Sequence, residues 1–189
     1  MKILLVDNFD SFTYNLYHQL NRFEEEVEVV RNDEIDFDDA RRFDRIVLSP
    51  GPGLPREAGR MMDLIDRFKN EKKILGVCLG LQAIAEAEGA KLINLKNVLH
   101  GVAVPTQVQD TNEPLFTGLP RSFKTGRYHS WCVDPEGLPA TFRITANDDF
   151  GGIMALTHEN QLLRGVQFHP ESILTEYGNE LIYNWLYRC

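Results

Sequence analysis

Apolar and polar positions fall in short alternating blocks along most of the chain. KILLVD (2–7) is a continuous apolar run of the length expected for a buried strand. Phe12, Leu16, Leu20 and Phe23 then recur at helical spacing, with Asp10 or Ser11 available as the cap. VEVV (27–30) and RIVLS (45–49) read as further strands, and Met61, Leu64, Ile65 and Phe68 mark one face of a second helix. KILGV (73–77) is a strand that runs into a helix carrying Ala83, Ile84 and Ala87, which Gly89 can close. Such alternation predicts a parallel sheet with right-handed crossovers and helices on both faces. The last third differs. FRITA (142–146), IMALTH (153–158) and LLRGVQF (162–168) are strands with too little between them for crossover helices, and Glu159-Asn160-Gln161 suits a hairpin. Leu181, Ile182, Trp185 and Leu186 close the chain as an amphipathic helix. The expected fold class is α/β, with an open, mostly parallel twisted sheet and an antiparallel C-terminal extension. Nothing repeats and nothing is low in complexity, so residues 1–189 read as one domain.

Composition narrows the function classes. With 43% hydrophobic and 25% charged residues the chain can bury a sizeable core. A net charge of -8 argues against a nucleic-acid or anionic-membrane surface, which would need clustered Lys and Arg. No apolar run approaches the roughly 18–20 residues of a membrane span. The opening MKILLVDNFD turns acidic too soon for a signal peptide. Cys78, Cys132 and Cys189 have no metal-ligand spacing and cannot all pair, which points to a reducing, cytoplasmic setting. Cys132 alternates with Trp131 and Val133 as a core strand position, and Cys189 reads as a free thiol. Glu24-Glu25-Glu26 reads as a solvated helix end, and His18, His100, His129 and His158 as surface or structural residues.

Three segments carry candidate chemistry. In ILGVCLGLQAI, Cys78 sits between Gly76 and Gly80 where a strand gives way to a helix. In open parallel sheets ligands gather at the carboxyl ends of strands. A helix start offers unpaired N–H groups that favour an anionic sulfur. G-x-C-x-G has the form of the strand–turn–helix elbow that presents a nucleophile in α/β hydrolases; a small buried hydrophobe is the other reading. In GVQFHPES, His169 and Glu171 flank Pro170, so the carboxylate could orient the imidazole as in a generalised triad, or the turn could simply be solvated. In SPGPG (49–53), glycine N–H groups could join that of Leu79 in holding an oxyanion, or the segment could be a plain turn.

With these residues in view, the chain resembles the class I, triad-type glutamine amidotransferases, and within them the small subunits of anthranilate synthase and aminodeoxychorismate synthase. The similarity runs through LLVDNFDSFTYNL, LSPGPGLPREAG, ILGVCLGLQAI, LFTGLP, GRYHSW and GVQFHPESILTEYGNELIYNWL. It implies a flavodoxin-like core and a glutaminase. Cys78 would attack the side-chain amide of L-glutamine, His169 would serve as base and then acid, and Glu171 would orient it. The N–H groups of Gly51 and Leu79 would form the oxyanion hole. Gly51, Gly53, Gln82 and the main chain of Ser130 and Trp131 would bind glutamine, and His129 would adjoin the pocket. The resemblance further implies delivery of ammonia to a larger chorismate-binding synthase subunit. Chorismate and Mg²⁺ would belong to that partner, leaving no cofactor or metal on this chain. Asn8, Asp10, Ser11 and Phe12 would lie near the partner interface, with helix capping and core packing as their other roles. Leu81 stands where many relatives carry His, and Val102 follows His100-Gly101 where many carry Lys.

Anthranilate synthesis, in the tryptophan pathway, is the first reading; aminodeoxychorismate synthesis, in the folate pathway, is the alternative. A stand-alone cysteine hydrolase of peptides or γ-glutamyl compounds would use the same triad. A phosphoreceiver module is set aside, because Ser49-Pro50 occupies the strand end where it would need an aspartate.

Overall fold

The structure, a computed structural model, describes residues 1–160 and 162–189. Gln161 of the expected hairpin link lies outside the described residues, as do the side chains at 96, 97 and 99. Strands β1 (Lys2–Asp7), β2 (Glu26–Arg31), β3 (Arg45–Leu48) and β4 (Lys73–Val77) alternate with helices α1 (Thr13–Asn21), α2 (Met61–Phe68) and α3 (Leu79–Ala87). Then come β5 (Leu92–Val108), β6 (Ser122–Val133), β7 (Phe142–Asn147), β8 (Ile153–His158), β9 (Leu163–Val166) and α4 (Gly178–Tyr187). Among the described residues they form one nine-stranded sheet in the order β2-β1-β3-β4-β9-β8-β7-β5-β6. The pairs from β2 to β9 are parallel, and those from β9 to β6 are antiparallel.

The central strands are continuous apolar runs because both of their faces are covered. Leu4, Val6, Ile46, Leu48 and Ile74 point to one side and pack with Leu64, Phe68, Leu81 and Ile84 of α2 and α3. Ile3, Leu5, Val47, Leu75 and Val77 point to the other and meet Leu16, Leu20, Leu181 and Trp185 of α1 and α4. Each such side chain, withdrawn from water, contributes about 1.5–3 kcal/mol.

Four expectations need correction. The expected antiparallel extension includes β9, but that strand pairs parallel with β4 and antiparallel only with β8. Its Gly165 and Val166 lie beside Gly76 and Val77, so two strands far apart in sequence end together. The long β5–β6 hairpin has no counterpart in the periodicity, because its strands carry two register shifts and mixed exposure. Helix α1 starts one residue beyond Phe12, and neither Asp10 nor Ser11 is its N-cap. The Asp10 carboxylate instead accepts from the Phe12 N–H at 2.8 Å, and the Asp7 carboxylate accepts from the Thr13 hydroxyl at 2.8 Å. Glu24-Glu25-Glu26 is a turn entering β2, where Glu25 accepts a 2.6 Å bond from the Tyr187 hydroxyl.

Candidate active site

The site forms where β1, β3, β4 and β9 end side by side. Cys78 links β4 to α3 with φ 53° and ψ -103°, a left-handed conformation that side chains rarely adopt. Such a backbone costs about 1–3 kcal/mol and persists only where its surroundings impose it. Those surroundings are the glycines flagged by the sequence. A Cβ at position 76 would overlap the Gly80 backbone, and one at position 80 would lie 2.5 Å from the Leu48 carbonyl oxygen. The Cys78 N–H donates to the Val166 carbonyl at 2.8 Å, tying the elbow to β9. The thiol thus stands at the N-terminal end of α3, at the positive end of its dipole.

His169 leaves β9 on the neighbouring track. The Ser172 N–H donates to the His169 carbonyl at 3.2 Å, so HPES is a turn rather than the extended segment expected. The predicted pairing nevertheless holds: His169 Nδ1 lies 2.7 Å from Glu171 Oε1. The Pro170 carbonyl accepts from Gln19 at 2.9 Å and the His169 carbonyl from the Thr175 hydroxyl at 2.6 Å, which clamps the turn. Phe12 and Tyr128, whose rings also touch each other at 4.9 Å, pack against the imidazole with centroids 5.1 and 4.8 Å away. Burial lowers the His169 pKa, but Cys78 and Glu171 outweigh it and raise it to about 10. Among the described residues the buried Glu171 carboxylate has no hydrogen-bond partner on Oε2, so the proton on His169 is its charge balance.

Cys78, Leu79 and Gln82 line a cavity of about 190 Å³, together with Gly51, Pro52, Gly53, Tyr128, His129, Ser130 and Trp131. Every residue expected in the oxyanion hole and glutamine pocket lies on it. Among the described residues, the N–H groups of Gly51 and Leu79 donate to no group of the chain. The Gly51 loop is held by Asn8, whose N–H and Nδ2 donate to Ser49 Oγ and the Ser49 carbonyl, each at 2.9 Å, while its Oδ1 accepts from Asn32 at 3.0 Å. A Cβ at Gly51 would lie 2.6 Å from that of Asn8, so the loop passes close over it. Asn8 is buried and therefore builds the site from inside, a correction to its expected place at a partner surface. Ser11 is exposed, and Asp10 and Phe12 are half-buried.

Gln82, on the same cavity, is anchored from within the chain. Its Nε2 donates to the Trp131 carbonyl at 2.8 Å and to Gln167 Oε1 at 3.2 Å, so both N–H bonds are committed within the chain. His129 Nδ1 lies 2.9 Å from the same carbonyl. Burial, opposed by that carbonyl, lowers the His129 pKa to about 4, so it is neutral where His169 is charged. Cys132 and Cys189 are pushed up to about 11 by burial and make poor nucleophiles. Among the described residues no cluster of three or more His, Cys, Asp or Glu is placed to hold a metal, and no helix is long and apolar enough to cross a membrane. Sequence reasoning missed Tyr128, Pro52 and Gln167 at the cavity and sulfur. Only the adjacency of Gln167 to the HPE segment could have flagged it.

A family model described as "Glutamine amidotransferase class-I" matches residues 4–189. Aminodeoxychorismate synthase component 2 of Escherichia coli is 45% identical over 98% of this chain and 100% of its own. Anthranilate synthase component 2 of Pyropia yezoensis is 43% identical over 97% of this chain and 98% of its own. A solved structure from Thermoplasma acidophilum, described as a "putative gmp synthase subunit a protein", superposes with a TM-score of 0.88 at 27% identity, covering 98% of this chain and 92% of that one. The elbow cysteine, the buried His–Glu pair and the match across almost the whole chain agree, and the chain belongs to the class I glutamine amidotransferases.

Proposed function

We propose that this chain is a glutaminase subunit that hydrolyses L-glutamine at Cys78 and passes the ammonia to a chorismate-using synthase subunit. The observation that carries the reading is the sulfur at a helix start, lining a cavity with two undirected N–H groups, together with the buried imidazole that Glu171 holds at 2.7 Å. The sulfur attacks the amide carbon with the thiol proton carried by His169. The carbonyl oxygen takes up negative charge between the N–H groups of Gly51 and Leu79. The C–N bond then breaks as His169 gives its proton to the departing nitrogen, leaving ammonia and a thioester. Water next attacks the thioester carbon while His169 takes its proton; the C–S bond breaks, and glutamate leaves.

Chorismate and Mg²⁺ belong, on this reading, to the partner, in the cytoplasm. Partner docking is supported by exposed apolar side chains near the site: Ile173, two residues from Glu171, is fully exposed, and Phe9 and Tyr14 flank the start of α1. Anthranilate synthase is the first reading for that partner. The 45% identity to an aminodeoxychorismate synthase component favours the second equally. Co-purification with each candidate large subunit, followed by identification of the aromatic amine made from chorismate and glutamine, distinguishes them. Cys78→Ser is expected to abolish the glutamine-dependent reaction while synthesis from ammonium salts survives. Loss of both activities in an intact complex refutes the assignment, and strong peptidase activity without any partner favours a stand-alone hydrolase.

A further inference from the structure

Beyond the triad, one more side chain touches the sulfur. Gln167, wholly buried at the end of β9, directs Nε2 at Cys78 Sγ from 3.4 Å. An amide can be turned end for end, so its neighbours must decide which atom faces the sulfur. Here they do. The Trp131 carbonyl can only accept, so Gln82 must present its NH₂ group to it. The second N–H of that group meets Gln167, which must therefore present its oxygen at 3.2 Å. That leaves the Gln167 NH₂ group no orientation except toward Cys78. Gln82 thus donates both ways, to the Trp131 carbonyl and to Gln167, and Gln167 donates onward to the nucleophile; the order is anchored by a backbone carbonyl that can only accept.

We propose that Gln167 is a further catalytic residue, an N–H donor that stabilises negative charge on Cys78, and that Gln82 and Trp131 are the positioning residues that fix its direction. This rests on the reading of Cys78 as the nucleophile. A donor aimed at sulfur favours thiolate over thiol in the resting site. It acts again when the thioester breaks down and the electron pair of the C–S bond returns to sulfur. In the turnover sequence no proton leaves Gln167; it contributes only its N–H dipole at the two points where sulfur is most anionic.

The test is the pH dependence of Cys78 alkylation by iodoacetamide, read by peptide mass spectrometry on the full chain, with folding checked by circular dichroism. Cys132 and Cys189, both pushed up to about 11 by burial, serve as internal slow references. A hydrogen bond to a charged group corresponds to about one pH unit at the weak end of its range. Gln167→Leu is expected to raise the alkylation midpoint by about that much, and Gln82→Met by less, since it only frees Gln167 to turn. A midpoint in Gln167→Leu within a few tenths of a pH unit of wild type overturns the proposal while leaving the nucleophile in place. Should Gln167→Leu fail to fold, an unmoved midpoint in Gln82→Met overturns it equally. Wild-type Cys78 reacting no faster than Cys132 defeats the proposal and the reading of the site together.

Discussion

Replacing Glu171 by glutamine changes almost nothing in shape and removes one buried charge, so it isolates the electrostatics on which the site depends. Two buried imidazoles provide an internal comparison. His129, held by a backbone carbonyl, is lowered by burial to about 4; His169, against burial, is raised by Cys78 and Glu171 to about 10. An opposite charge in direct contact shifts a titrating group by about 1–3 pH units, equivalent to ~1.4–4 kcal/mol. Glu171→Gln is therefore expected to bring the His169 midpoint down to about 7–9. The linkage has a definite sign. A folded-state pKa raised from 6.5 gives stability that is complete below pH 6.5 and lost as pH climbs to about 10. Glu171→Gln should show less of that alkaline loss than wild type in urea titrations at successive pH values. Loss of the orienting acid in a triad lowers kcat by about 10⁴-fold in the best-studied case, and a fall of at least 10²-fold in glutaminase turnover is expected here. The assays are nitrogen-15 NMR titration of the His169 ring and glutamine hydrolysis by the assembled complex. A midpoint still near 10, or turnover within threefold of wild type, would refute the account of the His–Glu pair.

Other perturbations reach different parts of the structure. Gly80→Ala places a Cβ 2.5 Å from the Leu48 carbonyl oxygen; the forced shift should cost about 1–3 kcal/mol in urea denaturation and, by moving the elbow, about 10²-fold in turnover. Full activity with unchanged stability would mean that the strand–helix contact is not tight. Glu113 and Arg164 form a buried ion pair at 2.7 Å, so Glu113→Ala should lower stability by about 3–5 kcal/mol, measured by chemical denaturation; a loss below 1 kcal/mol contradicts this. His129, depressed from 6.5 to about 4, stays neutral in the fold where the unfolded chain takes up a proton. Its contribution is present above pH 6.5 and lost as pH falls towards 4, by up to about 3 kcal/mol. His129→Gln should flatten that acid limb of the stability curve, and an unaltered limb assigns it to other groups.

Much of this architecture can be read along the chain, for a specific reason. Residues alternating across β1, β3 and β4 face helices on both sides, so their apolar runs announce buried parallel strands wherever they fold. The elbow is legible too. Gly76, Cys78 and Gly80 must sit where a strand meets a helix, because any other residue at 80 would strike the backbone of β3. The His169–Glu171 pair is local, separated by one proline, and a turn closes it as readily as an extended segment would. Periodicity, however, states which face is covered and not by which neighbour. That β9 slides in parallel beside β4, setting Val166 against Val77 and so His169 against Cys78, depends on strand order across 89 positions. The same holds for Asn8, whose polar side chain sits in the core because Ser49 and Asn32 arrive there to bond it. His129 and His169 are chemically identical on paper; a carbonyl beside one and a carboxylate with a thiol beside the other set their charges apart. Gln167 becomes a donor to sulfur only because a carbonyl on β6 orients two amides in succession. Local pattern encodes burial and turning, whereas charge, tautomer and hydrogen-bond direction are properties of neighbours, and folding supplies the neighbours.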